Sequence, residues 1–143
     1  MSTLIAVGDS VDRIVSWGAL VTSNDGRIWS SKTNPFDKRG KCRGIAVGTI
    51  NSQLLYYAIG DGGLVSSSTD RIHWTTDKIW FGNFQPLSIV WGPDNAFYVC
   101  GQFKFFEDEG IYKTNDEVAV VMRNSTGNHW DWQVVYTHRY TNS

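Results

Sequence analysis

Glu107, Asp108, Glu109, Asp116 and Glu117 crowd into one short stretch, and clustered carboxylates can hold a hard cation such as calcium. No regular ligand spacing joins them, so a solvated acidic loop is the better reading. Three histidines, His73, His129 and His138, stand far apart, and the first two each precede a tryptophan, which points to a turn role. Gly60-Asp61-Gly62-Gly63 is glycine-rich, but it joins two strand-like stretches and a turn accounts for it. Cys42 and Cys100 lie in apolar stretches and read as buried free thiols; no Cys/His spacing fits zinc. No nucleophile elbow, metal triad or phosphate loop occurs. From these residues we expect no metal, no cofactor and no enzyme.

The elements that must position such residues are strands. The 143 residues fit one domain, 1–143, and 41% hydrophobic with 19% charged residues is a globular balance. Aromatics make up 14% of the chain, beside fourteen glycines and three prolines, as in short strands joined by tight turns. No window of twelve residues keeps a helical apolar stripe unbroken by a Gly or Asx turn signal. The net charge of −1 comes from scattered basic residues, which argues against a nucleic-acid partner. No apolar run is long enough to span a bilayer, and no secretory signal is visible at Met1-Ser2-Thr3-Leu4. A virion or cytoplasmic location is therefore expected, and the Asn124-Ser125-Thr126 sequon is read as irrelevant.

Three segments repeat. Leu20 to Trp29 contains Ser23-Asn24-Asp25-Gly26-Arg27-Ile28-Trp29, and Leu64 to Trp74 contains Ser68-Thr69-Asp70-Arg71-Ile72-His73-Trp74. A weaker copy, Val120 to Trp130, keeps Ser125, Gly127 and Trp130 and lacks the aspartate. A further strand recurs as Arg43-Gly44-Ile45-Ala46-Val47-Gly48 and Leu87-Ser88-Ile89-Val90-Trp91-Gly92. Trp29 to Trp74 is 45 residues and Trp74 to Trp130 is 56, the surplus lying between Gly101 and Ser125. A period in the forties with about four short strands per unit is the pattern of a propeller blade. The units span about 3–40, 41–85 and 86–136. The expected fold is all-β and β-propeller-like, about three blades of four-stranded antiparallel sheets.

The segment from Ser23 to Trp29 resembles the Asp-box, or BNR, repeat of sialidase-like propellers. Ser68 to Trp74 is similar, with Arg71 where the first copy has Gly26. The resemblance implies that each box is the turn between the third and fourth strands of a blade. Ser23, Asp25, Gly26, Trp29, Ser68, Asp70, Trp74, Ser125, Gly127 and Trp130 would then be structural: the acid binds turn N–H groups, Gly supplies positive φ, and Trp covers the hairpin. Sialidase-like enzymes are larger and carry an arginine triad and a tyrosine nucleophile. Among Arg13, Arg27, Arg39, Arg43, Arg71, Arg123 and Arg139, two sit in the boxes, and no residue-by-residue match to that catalytic set exists.

Closed propellers need about four to eight blades. Three would leave two apolar faces in water, which a two-fold dimer would cover as a six-bladed ring. The first unit is expected to start at the second strand of its blade. Gln102 to Gly110, with Phe103, Phe105, Phe106, Glu107, Asp108 and Glu109, reads either as a partner-docking arm or as a long hairpin over its own blade. A short Asp-box-like chain of this sort resembles accessory virion proteins of bacteriophages (head decoration, neck, tail or fibre), and the resemblance implies a non-enzymatic assembly role acting through other protein subunits. A photosynthetic-type assembly factor, or a lectin stacking glycans on Trp17, Trp80 or Trp91, are the alternatives.

Overall fold

The computed structural model describes residues 3–11, 16–36, 40–79, 84–109 and 112–140, with the backbone alone for 9–11, 16–18, 104–109, 112–117 and 139–140. The fold is all-β, in three antiparallel sheets. The first holds β1 (Leu4–Val11), β2 (Ser16–Ser23) and β3 (Ser30–Lys32). The second holds β4 (Cys42–Ile50), β5 (Gln53–Gly60), β6 (Leu64–Ser68) and β7 (Thr75–Lys78). The third holds β8 (Phe84–Trp91), β9 (Phe97–Glu109), β10 (Tyr112–Asn124) and β11 (Gln133–Tyr140). Within each sheet consecutive strands pair, so every sheet is a meander. Among the described residues no helix is long and apolar enough to cross a membrane.

The alternation of side chains across each strand decides how the sheets stack. In β5, Tyr57 and Ile59 point one way and Ala58 the other, and both faces are buried. The second sheet is thus the middle layer, which explains its near-continuous apolar strands. Tyr57, Ile59, Val65 and Ala46 meet Phe84, Ile89, Phe97, Val99, Val118, Val120 and Met122 of the third sheet. On the other face Cys42, Ala58 and Leu64 meet Phe36, with Val7 of the first sheet packed against them. At Gly48 any added Cβ would stand 2.3 Å from the Trp91 ring, so only glycine lets that indole lie on the middle sheet.

The two insertions are hairpin extensions. β1 pairs with β2 out to Val11↔Ser16, and β9 pairs with β10 out to Glu109↔Tyr112. Of the two readings for Gln102–Gly110, the long hairpin is therefore the backbone found. Phe103 packs on Phe84 with ring centroids 4.8 Å apart. The side chains of Phe105, Phe106, Glu107, Asp108 and Glu109 lie outside the described ones, as do Trp17's side chain and all of Trp80. The thiols differ from expectation: Cys42 is buried and Cys100 exposed, because Cys100 is on the outward face of the third sheet while its neighbour Val99 faces the core.

Candidate functional site

The three expected box segments are the turns β2–β3, β6–β7 and β10–β11, all at one end of the stack. In the first, Ser23 Oγ accepts the N–H groups of Asp25 (3.3 Å) and Gly26 (2.8 Å). Asp25 Oδ1 then accepts Arg27 N–H (2.8 Å) and Ile28 N–H (3.0 Å). Ser68 and Asp70 repeat the pattern with Arg71, Ile72 and His73. Four donors that a tight turn would leave orphaned are satisfied by two side chains. Ile28 and Arg27 N–H, with the Ser23 hydroxyl, hold the Asp25 carboxyl below its usual range. Asp70 is held lower still, first by the His73 ring and then by the His73 and Ile72 N–H groups.

The third turn corrects the sequence alignment. Asn124, not Ser125, takes the first position: its Oδ1 accepts Thr126 N–H (3.1 Å) and Gly127 N–H (2.8 Å). Thr126 stands where the aspartate stands, its Oγ1 accepting Asn128 N–H at 3.1 Å. Gly26, Arg71 and Gly127 share a positive φ of 78°, 66° and 78°, so the three backbones superpose in register and Asn124 is as far from Trp130 as Ser23 is from Trp29. A short amide can do what a hydroxyl does here, which residue identity alone concealed. The sequon asparagine is 1% exposed, and its Nδ2 donates to Asn128 O at 2.7 Å, so the folded chain does not offer it for glycosylation. The box tryptophans also depart from expectation. Trp29 and Trp130 are exposed, and the Trp29 indole N–H donates to Gly26 O; only Trp74 packs into a core.

From the third turn His129 reaches across to the middle sheet. His129 Nδ1 lies 2.7 Å from Asp77 Oδ2, and Nε2 lies 2.7 Å from Ser67 Oγ. Tyr57 and Trp132 wall this seam: the Trp132 indole N–H donates to the Tyr57 hydroxyl at 2.9 Å, and both Trp132 and His129 stand edge-on to the Tyr57 ring. Burial holds the Tyr57 hydroxyl's pKa well above its ordinary value. Beside the seam a groove of about 360 Å³ is lined by Ile50, Leu54 and Leu55 on one side and Thr69, Gly127 and Asn128 on the other. Sequence reading missed this cluster because its members come from three strands and turns, 10 and 52 residues apart.

The opposite end gathers the starts of β4 and β8, the β5–β6 connection and the β9–β10 hairpin. Asp61 opens a tight turn, Asp61–Gly63, whose Gly62 and Gly63 have positive φ. Its carboxylate takes a forked pair from Arg43, Nε at 2.6 Å and Nη2 at 3.2 Å. Both side chains stay accessible, at 38% and 36%. Gln85 pairs with Gln102 in register, next to the Phe84–Phe103 ring pair. Neither Arg43 nor Asp61 was singled out as a ligand-binding residue from the sequence. Trp91 does not stand free as a platform, since its ring lies 4.7 Å from that of Phe97. Among the described residues no group of three or more His, Cys, Asp or Glu side chains is placed to hold a metal.

No protein-family model and no curated protein matches the chain. Among the solved structures similar to it in fold, two illustrate the likeness. One is a glycosyl hydrolase from Bacteroides ovatus, 14% identical, with a TM-score of 0.62 over 96% of this chain and 47% of its own. The other is a proposed glycosidase from Bacteroides thetaiotaomicron, 14% identical, with a TM-score of 0.63 over 97% of this chain and 49% of its own. The chain thus spans about half the length of the structures it resembles. The expectation of no enzyme is corrected: this fold is one that both neighbours use for glycosidase-type chains. No local motif announces it, because fold and function are separable and a likeness of fold at 14% identity leaves no signature in the residues.

Proposed function

We propose that the chain is a three-blade part of a glycosidase-like β-propeller that recognises glycans at the end opposite the box turns. The observation that carries this reading is the likeness to two carbohydrate-enzyme structures over nearly the whole chain. Three Asp-box-type turns at matching places in successive sheets support the propeller. The chemistry of the Arg43 end fits a sugar: a guanidinium donates and a carboxylate accepts, so the Arg43–Asp61 fork can bracket neighbouring hydroxyls. Gln85 and Gln102 each offer a donor and an acceptor, and the partly exposed Phe103 ring can lie on an apolar sugar face. Glycoside cleavage takes two carboxylates about 5–10 Å apart. Asp61 is one candidate; the β9–β10 hairpin at the same end carries others, Asp116 in register with Phe105 and Glu117 with Lys104.

A ring also needs its two outer faces covered. Leu4 and Ala6 face outward on the first sheet, and Val90 and Cys100 on the third. A second copy stacking its first sheet on the third sheet of this one, and the reverse, would close a six-bladed ring by a two-fold axis. Screening the purified chain on a glycan array and against a panel of 4-methylumbelliferyl glycosides tests the reading. Binding or turnover that falls at least tenfold in both Arg43→Ala and Asp61→Asn supports it. Binding unchanged in both variants, or no signal with any sugar, contradicts it.

A further inference from the structure

The seam beneath the third turn carries a constellation that the glycan reading does not use. A carboxylate can only accept, so the proton between His129 and Asp77 sits on His129 Nδ1. In the neutral ring Nε2 is then an acceptor, and the Ser67 hydroxyl donates to it. Hydroxyl, imidazole and carboxylate stand in line, both links at 2.7 Å, and the histidine is fixed on both sides. Nucleophile and base in hydrogen-bond reach, with the base oriented by a third group, is the arrangement that activates a serine. His129 is 7% exposed, so its Nε2 is shielded from bulk water, whereas Ser67 is only partly buried. The groove is lined by Thr69, just past the end of β6 and two residues from Ser67, and by Asn128, the residue before His129. It offers Ile50, Leu54 and Leu55 to an acyl chain, and Thr69 and Asn128 to a polar alcohol.

We propose that Ser67, His129 and Asp77 form a second, esterase-type site that accepts short acyl groups from esters of polar alcohols. Ser67 Oγ bonds to the acyl carbon while its proton passes to His129 Nε2. The ester C–O bond then breaks, and the alcohol leaves with that proton. Water, deprotonated by the same nitrogen, releases the acid and restores the Ser67 hydroxyl. Asp77 is a positioning residue that keeps Nδ1 protonated. Asn128, whose Oδ1 already accepts Trp130 N–H at 2.9 Å, is the candidate donor to the oxyanion through Nδ2.

This site shares no residue with the Arg43 end, so either reading can fail alone. The test is incubation of the unmodified chain with a fluorophosphonate probe, followed by peptide mapping, alongside hydrolysis of p-nitrophenyl acetate and butyrate. The expected result is a single adduct on Ser67, with hydrolysis lost in Ser67→Ala and reduced at least tenfold in Asp77→Asn. The Asp77→Asn variant should also shift the pH profile, because the amide favours the wrong tautomer. No adduct on Ser67 of the natural chain, or hydrolysis that survives Ser67→Ala, overturns the proposal and leaves the trio as a clamp between sheets.

Discussion

The second and third turns have the same backbone and send their histidines to opposite fates. In the second, His73 sits five residues after Ser68 and pairs with its own Asp70 at 2.7 Å, its side chain 86% exposed. In the third, His129 occupies the equivalent place and is 7% exposed, its carboxylate partner lying on another sheet. One side chain separates them. Where Asp70 offers a carboxylate, the third turn has Thr126, whose hydroxyl donates to Asp131 at 2.6 Å. With no carboxylate at position 126, and Asp131 taking the Thr126 hydroxyl instead, His129 crosses the seam to Asp77. Turn geometry is set by two acceptors and a positive φ; the chemistry that grows from the turn is set by which acceptor is used.

Removing the histidines breaks the comparison most sharply. His129→Ala should cost about 2–4 kcal/mol, since it opens a void against Tyr57 and removes the shared hydrogen-bond partner of Asp77 and Ser67. His73→Ala should change stability by no more than about 0.5 kcal/mol, as exposed sites do. Urea unfolding of the two variants reads the contrast. Next comes the first position of the turn: Asn124→Ala should cost about 1–3 kcal/mol by orphaning two N–H groups, and Asn124→Ser should recover most of it, because serine does that work in the other turns. A loss equal in both variants would mean the turns are not equivalent.

Smaller effects sharpen the same point. Gly127→Ala should destabilise by about 1–2 kcal/mol, as φ is 78° and an added Cβ would stand 2.7 Å from Leu55 Cδ2. Thermal melting of Arg71→Gly, at the matching φ of 66°, should show a change below about 0.5 kcal/mol. The smallest effect concerns pH. Asp25 and Asp70 have carboxyls held below their ordinary value in the folded state, so their contribution is present above that value, about 3.9, and is lost as pH falls through the lowered one. Unfolding followed between pH 5 and pH 2 should therefore show a shallower acid loss in Asp70→Asn than in the natural chain.

Much of the fold was legible because it is repeated. Alternating apolar strands, Ser–Asp–Trp turns and the recurrent Ile45 and Ile89 strands marked sheets, hairpins and their order. The third turn was misaligned by one residue, since Asn124 and Thr126 replace serine and aspartate with groups of the same hydrogen-bonding capacity but different names. The candidate sites were not legible. Arg43 meets Asp61, and Ser67 meets His129 and Asp77, only after strands pair and sheets stack, and no local spacing records that. Cys100 read as buried because a strand facing outward in one layer has the same apolar pattern as one inside. The virion role rested on analogy alone.

The glycan reading is tested most directly by an amide NMR titration of the chain with an oligosaccharide library bearing hexose, pentose and sialic acid termini. Shifts concentrated at Arg43, Asp61, Gln85 and Gln102, and absent from the three box turns, are the predicted result. Shifts confined to the box-turn end, or none with any sugar, would contradict it.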